Sequence, residues 1–586
     1  MDCVPLYAEF LFCDKLFFVN WNAHLQKGED IVSTRRLGLS VIVALGVIVA
    51  ACQPEVVEVV KEVPVEKEVI KVVEVEAKQE TGPRQGGQLV AFASNDPGSA
   101  DPAAFATWDQ GLVVPNVVEG LLRLSPDGTK IDPAVAETYS SNDAGDVWTF
   151  NLRSGATFHN GDAVTASDFK YSFERLLSPD MAAPKAWLLS GVIGAAEYQS
   201  GSASEISGVK VIDDQTLEIS LTEALGYFPA IVANPALGVV SERAVDEFGE
   251  DFGQNVVSTG PFKLGEWNIN DSLTLDANDD YWGGRPYLDS VKFRVIGDEN
   301  TRVLEFDSQA LDITWVPPAH WNRFVRSDVF ADELGWAHTF HTDFFVVNMD
   351  REPFGSSAAL RTAMCHGIDR EAVIASLQGR AGNAQGLLPP GLLGHDADAS
   401  ICTYDPDAAM AVMAEGGYAD GLDGSYDLIL PNWGNMIKIM EIYQAQLAQI
   451  GININIVPSE YGPWLEALDT GNFDLAWNYR VADYADPDSF YFPMLHSGNI
   501  DGSGNQARYS NAEVDNLVNT GRSSVDSTDR VAAYRNIDAM VAKDLPYIPL
   551  THNIYVDIKQ PYVEGYIPSP VDMHVYQHVW ISDETK

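Results

Sequence analysis

Along this chain the spacing of apolar positions changes repeatedly, and each change predicts a new element. Residues 88–94 (QLVAFAS) form a short apolar run that reads as a strand, and 109–124 carries helical spacing that stops at the turn Ser125-Pro126-Asp127-Gly128. Residues 148–152 alternate with period two, and 166–177 returns to helical spacing with Ser167 as the expected N-cap. Residues 209–212 and 216–221 read as a hairpin across Asp213-Asp214-Gln215, and strands over 272–277 and 291–296 flank a loop rich in glycine and aromatic residues. Residues 344–349 are a continuous apolar strand. Helical spacing follows over 358–363, 370–377 and 436–450, the last leading into a strand over 452–457. Strands and helices alternate irregularly and no internal repeat is visible, which predicts interleaved α/β domains rather than a single barrel.

The apolar run at 37–51 (LGLSVIVALGVIVAA), preceded by Arg35-Arg36, breaks this pattern. It is shorter than the roughly 20 residues of a membrane-spanning helix, and its basic flank and small-residue end describe a signal peptide over 1–51. The run closes in Val49-Ala50-Ala51-Cys52, which resembles the lipobox of bacterial lipoproteins, so Cys52 is expected to carry lipid as the mature N-terminus. Residues 1–31, rich in aromatics and carrying Asp2, Glu9, Asp14, Glu29 and Asp30, read as an extension ahead of a true start near Val32. Beyond the cysteine, 52–83 reads as a stalk. Its low-complexity Val/Glu/Lys run at 55–76 favours extended chain, and Pro64 would interrupt a helix there, with a short coiled coil as the alternative.

The remaining chain has ordinary globular composition, 46% hydrophobic and 21% charged, and at 586 residues in all it leaves room for two or three domains. A net charge of −47 repels phosphate, which excludes nucleic acid and basic docking on anionic lipid. The same acidity reads as solubility or a salty habitat, with a preference for cationic ligands as the sharper alternative. Of five cysteines, Cys3 and Cys13 precede the expected cleavage and Cys52 is the lipid site. Cys365 and Cys402 remain as an even pair in an oxidising compartment. They are expected to form a disulfide, two separate buried thiols being the alternative.

Catalytic signatures are absent: there is no GxSxG, HExxH, GxxxxGK[ST] or CxxC, so no enzyme is expected. His338, His341 and Asp343, and His574 with His578, have ligating atoms but read as ordinary polar or half-buried side chains; neither metal nor cofactor is expected.

A collinear set of motifs carries the functional reading. It runs through VVEGLL (117–122), PAVAE (133–137), WTFNLR (148–153), FHNG (158–161), VTASDF (164–169), STGPF (258–262), NDDYW (278–282), FVVN (345–348), RTAMCHGIDR (361–370), QLAQIGI (446–452) and DYADP (483–487). In this order, over about 480 residues, the chain resembles the bacterial extracellular solute-binding proteins of family 5, the dipeptide, oligopeptide and nickel receptors of ABC importers. The resemblance implies an α/β fold of the periplasmic-binding-protein type II (cluster C-like), with two lobes closing about a hinge. Three discontinuous domains are implied: domain I over 84–124, 237–340 and 551–586, domain II over 125–236, and domain III over 341–550. The implied protein is a monomer at the cell envelope, in the periplasm or on the outer face of the cytoplasmic membrane. It touches the membrane only through its lipid and hands peptide, or another small solute, to an ABC permease and ATPase complex.

The resemblance also implies site residues. Peptide-binding members hold the ligand's α-ammonium with an aspartate that matches Asp483, with Tyr484 beside it. Tyr479 and Trp433 are expected to supply stacking walls. Leu430 occupies the place of the arginine that takes the ligand carboxylate in dipeptide binders, so Arg480 is the expected substitute, and His552 is expected to face the cleft. Receptors for nickel or a metal chelate, an oligosaccharide or an opine, and a surface chaperone or sensor without a permease, are the alternatives on the same scaffold.

Overall fold

A computed structural model describes residues 82–399, 401–500, 504–571 and 573–582. The expected signal peptide, Cys52 and all but the last two residues of the expected stalk lie outside the described residues.

The longest strands grow from the sequence LGWAHTFHTDFFVV. Its first ten residues mix polar and apolar side chains and its last four are apolar without a break. Strand Leu334–Val347 accordingly has mixed burial at its start and is buried on both faces at its end. It pairs antiparallel with Tyr547–Lys559, from Leu334 opposite Ile558 to Val346 opposite Tyr547, with a register shift between His338 and Thr342. The strand expected over 344–349 is therefore the far end of a longer element. His338, His341 and Asp343 interrupt the apolar run, so periodicity alone does not reveal the first half.

These two strands centre a seven-stranded sheet in the order Ile313–Trp315, Tyr547–Lys559, Leu334–Val347, Leu475–Val481, Tyr426–Pro431, Ile454–Ser459, with Ala381–Asn383 also paired to Tyr547–Lys559. Tyr426–Pro431 and Ile454–Ser459 run parallel, and the helix Gly434–Gln449 makes the crossover that parallel neighbours require. Two four-stranded sheets complete the main framework. One has the order Gln88–Ala93, Ser290–Val295, Ser272–Ala277, Phe262–Asn268; the other Ala136–Ser141, Val147–Leu152, Thr216–Ser220, Val209–Asp213. Leu89, Phe293, Phe150 and Phe169 belong to one continuous core across both. Separate cores form around Phe345 and Tyr443, around Tyr491 and Tyr534, and around Trp321 and Phe324.

Local chemistry moves one expected boundary and one expected cap. The helix expected over 109–124 is Trp108–Val117: it runs through Pro115 and stops where Val118 turns extended, and Leu122–Leu124 is a strand. The helix Ala166–Leu177 is capped by Thr165 rather than Ser167: the Thr165 backbone N–H and hydroxyl both donate to Asp168 Oδ2, at 2.7 and 2.8 Å, in a capping box. Cys365 and Cys402 are joined as a disulfide, with Cα atoms 5.5 Å apart.

Several motif residues tie distant segments together. Buried Glu119 of VVEGLL accepts hydrogen bonds from the Tyr281 hydroxyl and Trp282 Nε1 of NDDYW, both at 2.6 Å. Burial pushes its carboxyl up while Arg123 opposes the shift. The guanidinium of Arg153, from WTFNLR, lies 3.7 Å from the centre of the Trp282 ring. Asn348 of FVVN donates to the carbonyls of Gly471 and Phe473, both at 2.9 Å.

Candidate ligand-binding cavity

Alternation along adjacent strands sends every second side chain to one face of the large sheet. Tyr547–Lys559 contributes Thr551, Asn553, Tyr555 and Asp557, with Leu550, Ile554 and Val556 also bordering the space, Leu334–Val347 contributes His341 and Asp343, and Leu475–Val481 contributes Trp477, Tyr479 and Val481. The helix Gly434–Gln449 covers part of this face with Met436, Ile439, Met440 and Tyr443, a stripe at helical spacing. Phe92 of the smaller sheet, Trp108 of the helix Trp108–Val117 and Trp315 at the edge of the large sheet also line the space. Between them lies a cavity of about 670 Å³, lined mainly by apolar and aromatic side chains, within the size range of small-molecule sites.

A few charged groups interrupt the apolar lining. Asp343 accepts a hydrogen bond from the Thr551 hydroxyl at 3.0 Å, and His341 Nε2 is 3.5 Å from its other oxygen. Tyr479 stands opposite it in register, and Trp433, Trp477 and Tyr479 form a ring cluster with centres 5.6–6.1 Å apart. Asp557 is buried and accepts from the Tyr566 hydroxyl at 2.7 Å; burial pushes its carboxyl up to about 6. Arg380 spends Nε on the Leu377 carbonyl, forms no ion pair among the described residues, and has its guanidinium pulled down by burial. Glu299 also borders the space, 3.7 Å from Arg302.

The expected site residues divide. Trp433 and Tyr479 line the cavity; Asp483, Tyr484, Arg480 and His552 do not. Arg480 lies between Tyr479 and Val481, so the alternation of its strand turns it to the opposite face, where Nε donates to the Ser489 carbonyl at 2.9 Å and Nη2 pairs with Asp483. Exposed Asp483 lies beyond the strand end; its backbone N–H donates to Ser489 Oγ, and its charge opposes the downward pull of burial on the Lys185 ammonium. Tyr484 stacks on Tyr227 at 5.4 Å and 6° and donates to Asp488 at 2.7 Å. His552 falls between Thr551 and Asn553 and so points away from the cavity. It is buried beside Thr342, with Nδ1 2.9 Å from the Thr342 hydroxyl, and burial pulls its imidazole down to about 3.

Asp343, Asp557 and Arg380 were not singled out as ligand residues by sequence. For Asp343 the available signal was a charged residue directly before an apolar strand run, in a group whose histidines drew attention to metal. Among the described residues no cluster of three or more histidine, cysteine or acidic side chains has metal-holding geometry.

Comparison with known proteins agrees with this architecture. The chain is 28% identical over 515 residues to the periplasmic oligopeptide-binding protein of Escherichia coli, covering 84% of this chain and 92% of that protein. It is 28% identical over 507 residues to a dipeptide-binding protein of Bacillus subtilis, covering 83% and 91%. Among solved structures, the unliganded open form of a periplasmic murein tripeptide binding protein matches with a TM-score of 0.78 at 25% identity, covering 85% of this chain and 98% of that one. Residues 130–502 match the family model described as bacterial extracellular solute-binding proteins, family 5 Middle. The chain therefore belongs to the family 5 bacterial extracellular solute-binding proteins and has their periplasmic-binding-protein fold.

Proposed function

We propose that this protein is the extracellular solute-binding subunit of an ABC importer, capturing peptides between two lobes and delivering them to a membrane permease and its ATPase. The cavity of about 670 Å³ that straddles the two long strands carries this reading. It is walled by aromatics, which suit varied side chains, and holds charged groups of both signs. The peptide names of the two curated relatives support the ligand class. The domain division given above belongs to the same proposal. The register shift between His338 and Thr342 supports a hinge near 340/341, where a strand pair passes from one core to another. So do attachment through lipid at Cys52, placement in the cell envelope and action as a monomer.

The test is native mass spectrometry of protein purified from its own cells, followed by calorimetry with a panel of di- to pentapeptides. Recovery of peptide, or saturable peptide binding that raises the melting temperature, is expected. Co-purification of a non-peptide solute together with silence across the panel would overturn the peptide class. Detergent-phase partitioning of the wild type, lost in Cys52→Ser, tests the anchor.

A further inference from the structure

We propose that Asp343, walled by Tyr479, Trp477 and Trp433, is a subsite for a basic side chain of the ligand, so that the protein favours lysine-bearing peptides over neutral ones of the same length. This rests on the peptide reading and narrows it, and it leaves the ligand's α-ammonium to Asp483, as the resemblance of that motif implies. Asp343 borders the cavity and has a hydroxyl and a histidine as partners: Thr551 donates to one oxygen at 3.0 Å, and His341 Nε2 lies 3.5 Å from the other. Among the described residues no lysine or arginine forms an ion pair with it. Its side chain is 16% exposed, so solvent screens its charge weakly.

The surroundings suit an alkylammonium on a flexible stem. Asp343 stands directly opposite Tyr479 in register, which puts their Cβ atoms within about 5.5 Å of each other. Trp477 is two positions along the same strand and shares that face. Trp433 contacts both rings, with centres 5.9 Å from Trp477 and 6.1 Å from Tyr479, at interplanar angles of 74° and 42°. Rings inclined to one another beside a carboxylate attract a cation by charge and by ring quadrupole together. Trp433 is 42% exposed and stacks on Tyr461 at 6.2 Å, so its indole is braced without being buried. Met436, Ile439 and Met440 of the helix Gly434–Gln449 line the cavity too and offer apolar surface to the methylene stem.

The other charges that border the cavity do not take this role. Glu299 has Arg302 at 3.7 Å, and Asp557 is buried against Tyr566. Arg380 accepts through its backbone carbonyl from the Ile554 N–H, three positions along Tyr547–Lys559 from Thr551, the register partner of Asp343. Three positions are about 10 Å of strand, and no ion pair joins Arg380 to Asp343. The whole chain adds to the preference: at a net charge of −47 it draws cationic solutes in and speeds their encounter.

The experiment is calorimetric titration of Lys-Ala-Ala, Ala-Lys-Ala and Ala-Ala-Lys, each against its Nε-acetyl-lysine counterpart, into wild type, Asp343→Asn, Asp557→Asn and Trp433→Leu. In the wild type at least one free-lysine peptide should bind about tenfold or more tighter than its acetylated counterpart. Asp343→Asn should bring that ratio below about threefold, the non-additivity that marks direct contact, while Asp557→Asn should keep it. Trp433→Leu should cut the ratio by about two- to fivefold, and an unchanged ratio there overturns the role given to the rings. A ratio under about threefold at every position in the wild type, or a ratio that survives Asp343→Asn, overturns the subsite, and the first result does so whether or not the variants fold. If no peptide binds the wild type, the peptide reading fails separately, and the subsite is probed by calorimetry with the diamine cadaverine. A saturable heat lost in Asp343→Asn supports it, and a silent wild type or a heat kept by the variant overturns it.

Discussion

Asp488 and Asp343 are both carboxylates set among tyrosines, in two regions where distant segments meet. Asp488 is buried; Arg522 reaches both its oxygens at 3.3 Å, and the Tyr484 hydroxyl donates to it at 2.7 Å. The same arginine donates to the Tyr227 hydroxyl at 2.9 Å and covers the Phe492 ring at 3.4 Å, so one cation organises the whole contact between 223–228 and 484–522. Asp343 has no such cation among the described residues, and a cavity lies before it. A buried acid that carries its own arginine is committed to structure, although burial still outweighs Arg522 and holds the Asp488 carboxyl up at about 6. An acid that borders a cavity beside aromatic rings is placed to meet a group that enters from outside.

The sharpest way to break this comparison is to leave Asp488 in the position of Asp343. Arg522→Ala strands a buried carboxylate, and breaking such a pair costs about 3–5 kcal/mol in urea unfolding at neutral pH. The double variant Arg522→Leu/Asp488→Leu should recover most of that, and a loss under about 1 kcal/mol for the single variant would contradict the structural role. Next in size is the disulfide, whose 37-residue loop corresponds to at most about 4 kcal/mol in the chain-entropy model. Cys365→Ser/Cys402→Ser should lower the unfolding midpoint while leaving ligand affinity within about twofold, since neither cysteine borders the cavity.

The third test uses pH. Burial raises the Asp557 carboxyl to about 6, above the unfolded value near 4. The folded state therefore binds the proton more tightly. The stabilisation is full below about pH 4 and is lost as pH rises through 6, an effect of about 2–3 kcal/mol. Asp557→Asn should flatten the stability profile between pH 4 and 6; an unchanged slope would mean that the carboxyl is not held up by burial. The smallest effect belongs to the Tyr227–Tyr484 stack, for which a double-mutant cycle to leucine should give a coupling of about 0.5–1.5 kcal/mol. A coupling near zero would leave Arg522 as the sole organiser of that contact.

The fold was largely legible. Apolar spacing located the strand Gln88–Ala93, the hairpin Val209–Asp213 with Thr216–Ser220, and the helix Gly434–Gln449, because each is set by which face is buried. Where the expectation missed, local chemistry decided: the helix expected over 109–124 stops at Val117, where Val118 turns extended, and the helix Ala166–Leu177 starts where periodicity placed it but is capped by Thr165 rather than Ser167. The candidate site was legible only in its walls, since Trp433 and Tyr479 do line the cavity while Arg480 and His552 lie on the other face.

By itself the sequence determined the family and the α/β class, because the motif residues that carry the resemblance hold the framework. Glu119 joins Tyr281 and Trp282, Asn348 ties the 471–473 turn, and Arg361 donates to the Asp544 and Phe354 carbonyls, both at 2.6 Å. Such residues bury polar atoms that must be satisfied, so they read out as motifs. Only the tertiary structure decided which charges face the cavity. One position along a strand is the difference between Tyr479 and Arg480, or between Thr551 and His552, and a shift of one reverses the face. Asp343 and Arg380, far apart in sequence, come together there because the strand Tyr547–Lys559 lies between theirs.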